Sequence, residues 1–284
     1  MKKLIINADD FGLSKGVNQG ILSGFRDGIV TSATMLANMN YFDHAVQIAK
    51  ENPDMPIGVH LNLSWGKALT SSTSVSSLVS PSGYFLKNSA VFAGRYFSGQ
   101  ISIPEVCLEF RNQVSRVLDA GINPTHLDTH KHFHCLPGIM KALINTAIEF
   151  KIDKIRLPLE KNIIHIKNHK LFSIPKISWK TCFIRLFCTN HQKLLQNSGI
   201  RTTDYFTGIT HMNCLDVRVI KKILLNLKDG VTEFMCHPGY MDNDLRKISK
   251  IPPYRDIELK ALCAAELKEC INALNIQLIS YSEL

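Results

Sequence analysis

Short apolar runs alternate along this chain with longer segments whose apolar residues recur at helical spacing. Residues 3–8 (KLIINA), 31–36 (TSATML), 57–63 (IGVHLNL) and 125–130 (THLDTH) read as strands. So do residues 154–157 (KIRL), 205–209, 232–236 (TEFMC) and 276–280 (IQLIS). Helical spacing predicts helices over 16–27, with Ser14 as N-cap, and over 41–51. Further helices are predicted over 104–120, with Pro104 in the first turn, 138–150, part of 176–198, and 216–227. Residues 256–274 read as one long helix.

Strand–helix alternation at this pace points to an α/β protein with a mostly parallel sheet and helices outside it. About seven or eight units in this length suit a closed (β/α) barrel. An open doubly wound sheet is the rival, but no G-x-G-x-x-G follows the first strand. Two stretches break the rhythm. Residues from about 64 to 103, rich in Ser, Gly and Thr, are too long for a plain loop and predict a lid or small substructure. Residues 163–175 form a second excursion. With no repeat, linker or low-complexity tract, residues 1–284 read as one domain.

Composition narrows the class. The chain is 45% hydrophobic and 20% charged, so a packed core is expected. No apolar run is long enough to span a bilayer. Lys2 and Lys3 resemble the start of an export signal, but the run Leu4–Ile6 is short and Asp9 and Asp10 end it. A cytoplasmic location follows as the expectation. The net charge of +9 is scattered, without a basic run interleaved with aromatics, so no nucleic-acid partner is expected. None of the eight cysteines forms a C-x-x-C pair, and all read as structural.

The candidate chemistry lies where strands end, the edge at which α/β proteins gather functional groups. Asp9 and Asp10 close the first strand, and His60 and Asn62 lie late in the third. His126, Asp128 and His130 lie along the fourth, followed by His132 and His134, and His237 follows TEFMC. An extended chain would put His130, His132 and His134 on one face. His126 and His134 would then be about 26 Å apart, so one ion cannot take them all. A metal site needs one or two of them with Asp10 and His60 from other strands. Two imidazoles and a carboxylate leave room for water and substrate. Beside a divalent cation the adjacent aspartates divide their work: Asp10 binds, and Asp9 stays free as a general base. Taken singly, each feature has a plainer reading: Asp-Asp as a cap, His60 as a core histidine, His237-Pro238-Gly239 as a turn, Arg156 as a surface ion pair.

The runs Asn7–Gly12 (NADDFG), Gly28–Ser32 (GIVTS), Gly58–Asn62 (GVHLN), Pro124–His132 (PTHLDTHKH) and Cys236–Gly239 (CHPG) resemble the YdjC-like carbohydrate deacetylases, which include chitooligosaccharide deacetylases. The resemblance extends to about residue 245, dense in the first half and loose between about 160 and 230. It implies a distorted (β/α) barrel of about seven strands and hydrolytic N-deacetylation of an acetylated amino sugar. It also implies one divalent metal, Mg2+, with Zn2+ the alternative suited to Asp plus two His. By motif the ligands are Asp10, His60 and His130, with Asp9 as base and His237 as acid. The family is similar to the NodB-type deacetylases, whose R-x-P motif Arg156–Pro158 resembles; Arg156 would hold Asp9 ionised. This chain departs from the NodB pattern in placing its two ligand histidines on different strands. His132, His134 and Asn62 are expected to contact substrate or support the ligands, and a homodimer is the implied assembly. A metal-dependent phosphoesterase or amidohydrolase, and a non-catalytic sugar-binding barrel, are the competing readings.

Overall fold

The computed structural model describes residues 1–86, 88–161, 179–248 and 254–284. Seven strands form one sheet: β1 (Lys2–Phe11), β2 (Ser32–Met35), β3 (Ile57–Leu61), β4 (Leu127–Thr129), β5 (Tyr205–Thr207), β6 (Gly230–Cys236) and β7 (Gln277–Leu278). The order is β4-β3-β2-β1-β6-β5, with every pairing parallel. β1 is shared along its length: β7 pairs its first half at Lys3 and Leu4, and β2 its second half from Asn7. Isolated parallel bridges at Leu127–Ile155 and Lys154–Arg201 carry the pairing beyond β4 toward the stretch before β5. The result is the expected seven-stranded, distorted barrel, with helices outside and a single domain.

Several elements differ from expectation. Residues 154–157 pair at single positions on either side and form no ladder. The predicted helix over 256–274 is two helices, Tyr254–Leu262 and Ala265–Ala273. The break at Ala264, whose backbone is extended, frees the Leu262 carbonyl to accept from the Ile29 amide at 3.2 Å. β3 stops at Leu61, because Gln113 takes both the amide and the carbonyl of Asn62, at 2.8 Å each. The excursion predicted over 163–175 lies outside the described residues. The described residues of the 64–102 stretch bury Val75, Leu78, Phe85 and Phe92 in the main apolar core. Glu109, on helix Ile103–Asp119, anchors the stretch by accepting from the Leu69 and Thr70 amides and the Thr70 hydroxyl.

The two faces of the sheet divide the chemistry. Successive side chains of a strand point to opposite faces. On β1, Leu4, Ile6 and Ala8 join the main apolar core beneath the helices, as do Ala33, Val59, Leu127 and Phe234 on the other strands and Ile155 in the bridged stretch beside β4. The alternate positions face the barrel interior, and most are polar: Asn7 and Asp9, Ser32 and Thr34, His60, Asp128, Arg156 and Glu233. All are buried. A strand buried on both faces is the usual state in a parallel sheet. Here one face carries the fold's apolar burial and the other carries polar groups that must satisfy one another. Gly58 belongs to the interior face because a Cβ there would sit 2.5 Å from the His126 ring.

Candidate active site

The adjacent aspartates reach one cavity because the chain bends between them. Alternation alone would send Asp9 inward and Asp10 outward. The β1–β2 register shifts between Ala8 and Phe11, and Asp10 adopts φ 71°, in the left-handed region. Bulges of this kind re-aim a side chain at a sheet's rim, and such strain gathers at functional sites. Asp10 thus turns back toward the ends of β3 and β4.

There it meets two histidines. Asp10 Oδ1 lies 3.6 Å from His60 Nε2 and 3.1 Å from His130 Nδ1, and the two imidazole nitrogens are 3.3 Å apart. Donor atoms about 2.0–2.2 Å from one ion are about 3.0–3.5 Å from each other, so this trio fits a single cation. Its far side is supported: His60 Nδ1 is 2.7 Å from Asp128 Oδ1, the carboxylate–imidazole pairing that orients metal-bound histidines. Asp9, His60 and Asp128 form a second cluster of donors, but Arg156 already places its positive charge between those two carboxylates.

Asp9 is fixed from all sides. Arg156 Nη1 donates to Oδ2 and Nη2 to Oδ1, both at 2.7 Å, and Asn7 Nδ2 donates to Oδ1 at 3.0 Å. The same guanidinium meets Asp128 Oδ2 at 2.5 Å and donates through Nε to Glu233 Oε1 at 2.7 Å. Burial favours the neutral acid at Asp9, but Arg156 and His60 outweigh it and hold the carboxyl well below the usual range. Asp10 is also depressed, with Arg255 and His130 overcoming burial. Burial opposes charge on His60, yet Asp128, Asp9 and Asp10 prevail and lift its pKa to about 9.

His237 directly follows β6, within electrostatic reach of Asp9 and Asp10. Its backbone amide donates to Glu258 at 2.6 Å, and the Gly239 amide donates to the Arg255 carbonyl. Both partners come from helix Tyr254–Leu262, which also pairs Arg255 with Asp10 Oδ2. Burial pushes the His237 imidazole down to about 4 against the pull of Asp9 and Asp10.

The chain over 130–135 is not extended. It is a 3-10 turn in which Lys131 and His132 have φ of 59° and 57°. His130, His132 and His134 therefore do not share one face, contrary to the extended arrangement. His130 points to Asp10, while His134 Nδ1 pairs with the Thr129 hydroxyl at 2.5 Å, inside the fold. His132 lies among the charges of Arg156, Asp9, His60 and His237, with burial lowering its pKa to about 3. The Asn62 amide binds chain rather than cavity: Oδ1 accepts from the Ser64 and Trp65 amides, and Nδ2 donates to Asn38 Oδ1 and the Trp65 carbonyl. That grip sets the Trp65 ring 5.8 Å from the His130 ring.

Sequence reasoning passed over Glu233, Arg255, Glu258 and Tyr281. Glu233 had a signal, a carboxylate in the middle of a buried strand. So did Asp128, noted within its strand but assigned no role. Arg255, Glu258 and Tyr281 had none, since they approach from the far end of the chain.

Residues 3–273 match the family model described as YdjC-like protein. A protein named carbohydrate deacetylase from Brevibacillus brevis is 36% identical over 99% of both chains. One named chitooligosaccharide deacetylase from Yersinia enterocolitica is 32% identical, again over 99% of both. A crystal structure of a putative cellobiose-phosphate cleavage protein from Enterococcus faecalis superposes with a TM-score of 0.83 at 28% identity, covering 99% of this chain and 98% of that one. With its barrel, its rim motifs and its full-length relatives in agreement, this chain belongs to the YdjC-like protein family.

Proposed function

We propose that this protein is a metal-dependent carbohydrate deacetylase that hydrolyses the N-acetyl group of an acetylated amino sugar or oligosaccharide and releases acetate. The observation that carries the reading is the convergence of Asp10, His60 and His130 beside an anchored Asp9. Full-length relatives named as carbohydrate and chitooligosaccharide deacetylases support it.

Asp10, His60 and His130 would hold one divalent ion, which when bound supplies a Lewis acid for the acetamide carbonyl and an acidified water. The family resemblance implies Mg2+, while two imidazole donors favour Zn2+. Asp9 accepts the proton of the attacking water. Arg156 keeps that carboxylate ionised and fixed in direction, at the cost of low basicity. His237, neutral at rest, takes over the proton that Asp9 removed from the water as negative charge develops on the carbonyl oxygen, which returns Asp9 to its ionised form. It then hands that proton to the departing amine. His132 borders the same space and is the candidate contact for the acetyl group. No helix among the described residues is long and apolar enough to cross a membrane.

The test is acetate release from a panel of N-acetylated sugars, with metal analysis of the same sample. One ion per chain and acetate from at least one sugar are expected. Asp9→Asn should keep the metal and lose turnover by orders of magnitude, and His60→Ala should lose both. Two ions per chain with phosphatase activity would favour the phosphoesterase reading instead.

A further inference from the structure

A polar chain runs from the rim of the barrel to its floor. Tyr281, just past β7, is fully buried, and its hydroxyl donates to Glu233 Oε2 at 2.6 Å. The other Glu233 oxygen accepts from Arg156 Nε at 2.7 Å, and Arg156 grips Asp9 and Asp128. Asp128 in turn orients His60. The Tyr281 ring is fixed as well: it stacks on His126 with centroids 3.5 Å apart, and its amide donates to Ser32 Oγ at 3.1 Å.

We propose that Tyr281 and Glu233 are positioning residues for the reaction, setting the Arg156 guanidinium and through it both Asp9 and the Asp128–His60 pair. This rests on the deacetylase reading for its catalytic arm only. Glu233 at Nε fixes the tilt at which both Nη groups meet Asp9 in parallel; without it the guanidinium is shared only between Asp9 and Asp128 and can tilt toward either. Three carboxylates around one guanidinium also leave excess negative charge in a buried space. Glu233 absorbs it: burial raises its pKa to about 7, with Asp9 and Asp128 adding to the rise and Arg156 and the Tyr281 hydroxyl opposing it. Removing that hydroxyl favours the protonated acid and weakens the hold on Arg156. The loss is felt at both ends of the chain, at the base and at the metal ligand.

The experiment compares wild type, Tyr281→Phe, Glu233→Gln and the double variant. It measures Zn2+ affinity by calorimetry, acetate release against pH, and thermal unfolding. Tyr281→Phe keeps the His126 stack. It should cut kcat about tenfold with KM within twofold, shift the acidic limb of the rate profile upward by about half a pH unit, and weaken Zn2+ binding several-fold. Glu233→Gln should lower Zn2+ affinity by about tenfold or more, as loss of a supporting partner does. The double variant should be no worse than Glu233→Gln, the mark of one pathway. Folded variants with wild-type Zn2+ affinity and an unmoved profile would overturn the proposal, as would simple additivity in the double variant. If wild type binds Zn2+ but deacetylates nothing, the functional reading fails and the Zn2+ measurements still decide this one.

Discussion

Arg156 and Asp9, 147 positions apart, share two parallel hydrogen bonds of 2.7 Å in the barrel interior. Both side chains are almost wholly shielded from water. A charge pair so buried persists only when each partner is saturated, and Arg156 is saturated by three carboxylates.

Arg156→Lys tests the fork. Lysine keeps the charge but donates from a single point. We expect kcat for acetate release to fall about a hundredfold and Zn2+ affinity by calorimetry to fall about tenfold, because Arg156 also holds the Asp128–His60 pair. Arg156→Ala should destabilise the fold by about 3–5 kcal/mol in denaturant unfolding, because it strands the carboxylates without their cation.

Asp10→Asn tests the rim trio. The amide presents a weaker donor and loses the ion pair with Arg255. Zn2+ affinity measured by calorimetry should drop by at least a hundredfold, with unfolding still cooperative.

The metal-free protein should lose stability with rising pH. His60 has a folded pKa of about 9, above its ordinary 6.5. Its stabilisation is therefore complete below about pH 6.5 and is lost as pH climbs through 9. Asp9 and Asp10, both held low, act in the opposite sense: their contribution is present above about pH 4 and fades as pH falls. Chemical denaturation of metal-free protein should show a maximum near pH 5–6.5 and a decline on the order of 1–3 kcal/mol by pH 9. Metal uptake at pH 7.5 should release about one proton, read from calorimetry in buffers of different ionisation enthalpy.

Gly20→Ala tests how the His237 turn is seated. Helix Lys15–Arg26 packs so closely that a Cβ on Gly20 would lie 2.4 Å from Gly239 Cα. The three nearest atoms are all Gly239 backbone, so the 237–239 turn must move. We expect a loss of about 1–3 kcal/mol in thermal unfolding and a kcat deficit larger than the change in KM.

The local pattern of residues was enough for seven of the eight expected strands, the helix starting after Ser14 and the class of fold. These depend on periodicity and on a cap whose hydroxyl accepts from the Val17 amide. The rim residues were also legible, since Asp9, Asp10, His60, His130 and His237 stand at strand ends within short motifs. Tertiary structure decided what those motifs could not express. The turn at Lys131–His132, the bend at Asp10 and the break at Ala264 depend on contacts with distant chain. So do the partners of Arg156, which come from β1, β4 and β6, and of Glu233, one of which lies past β7. A buried charge takes its meaning from the groups that surround it, and parallel strands gather those groups from positions too far apart for any local pattern to carry.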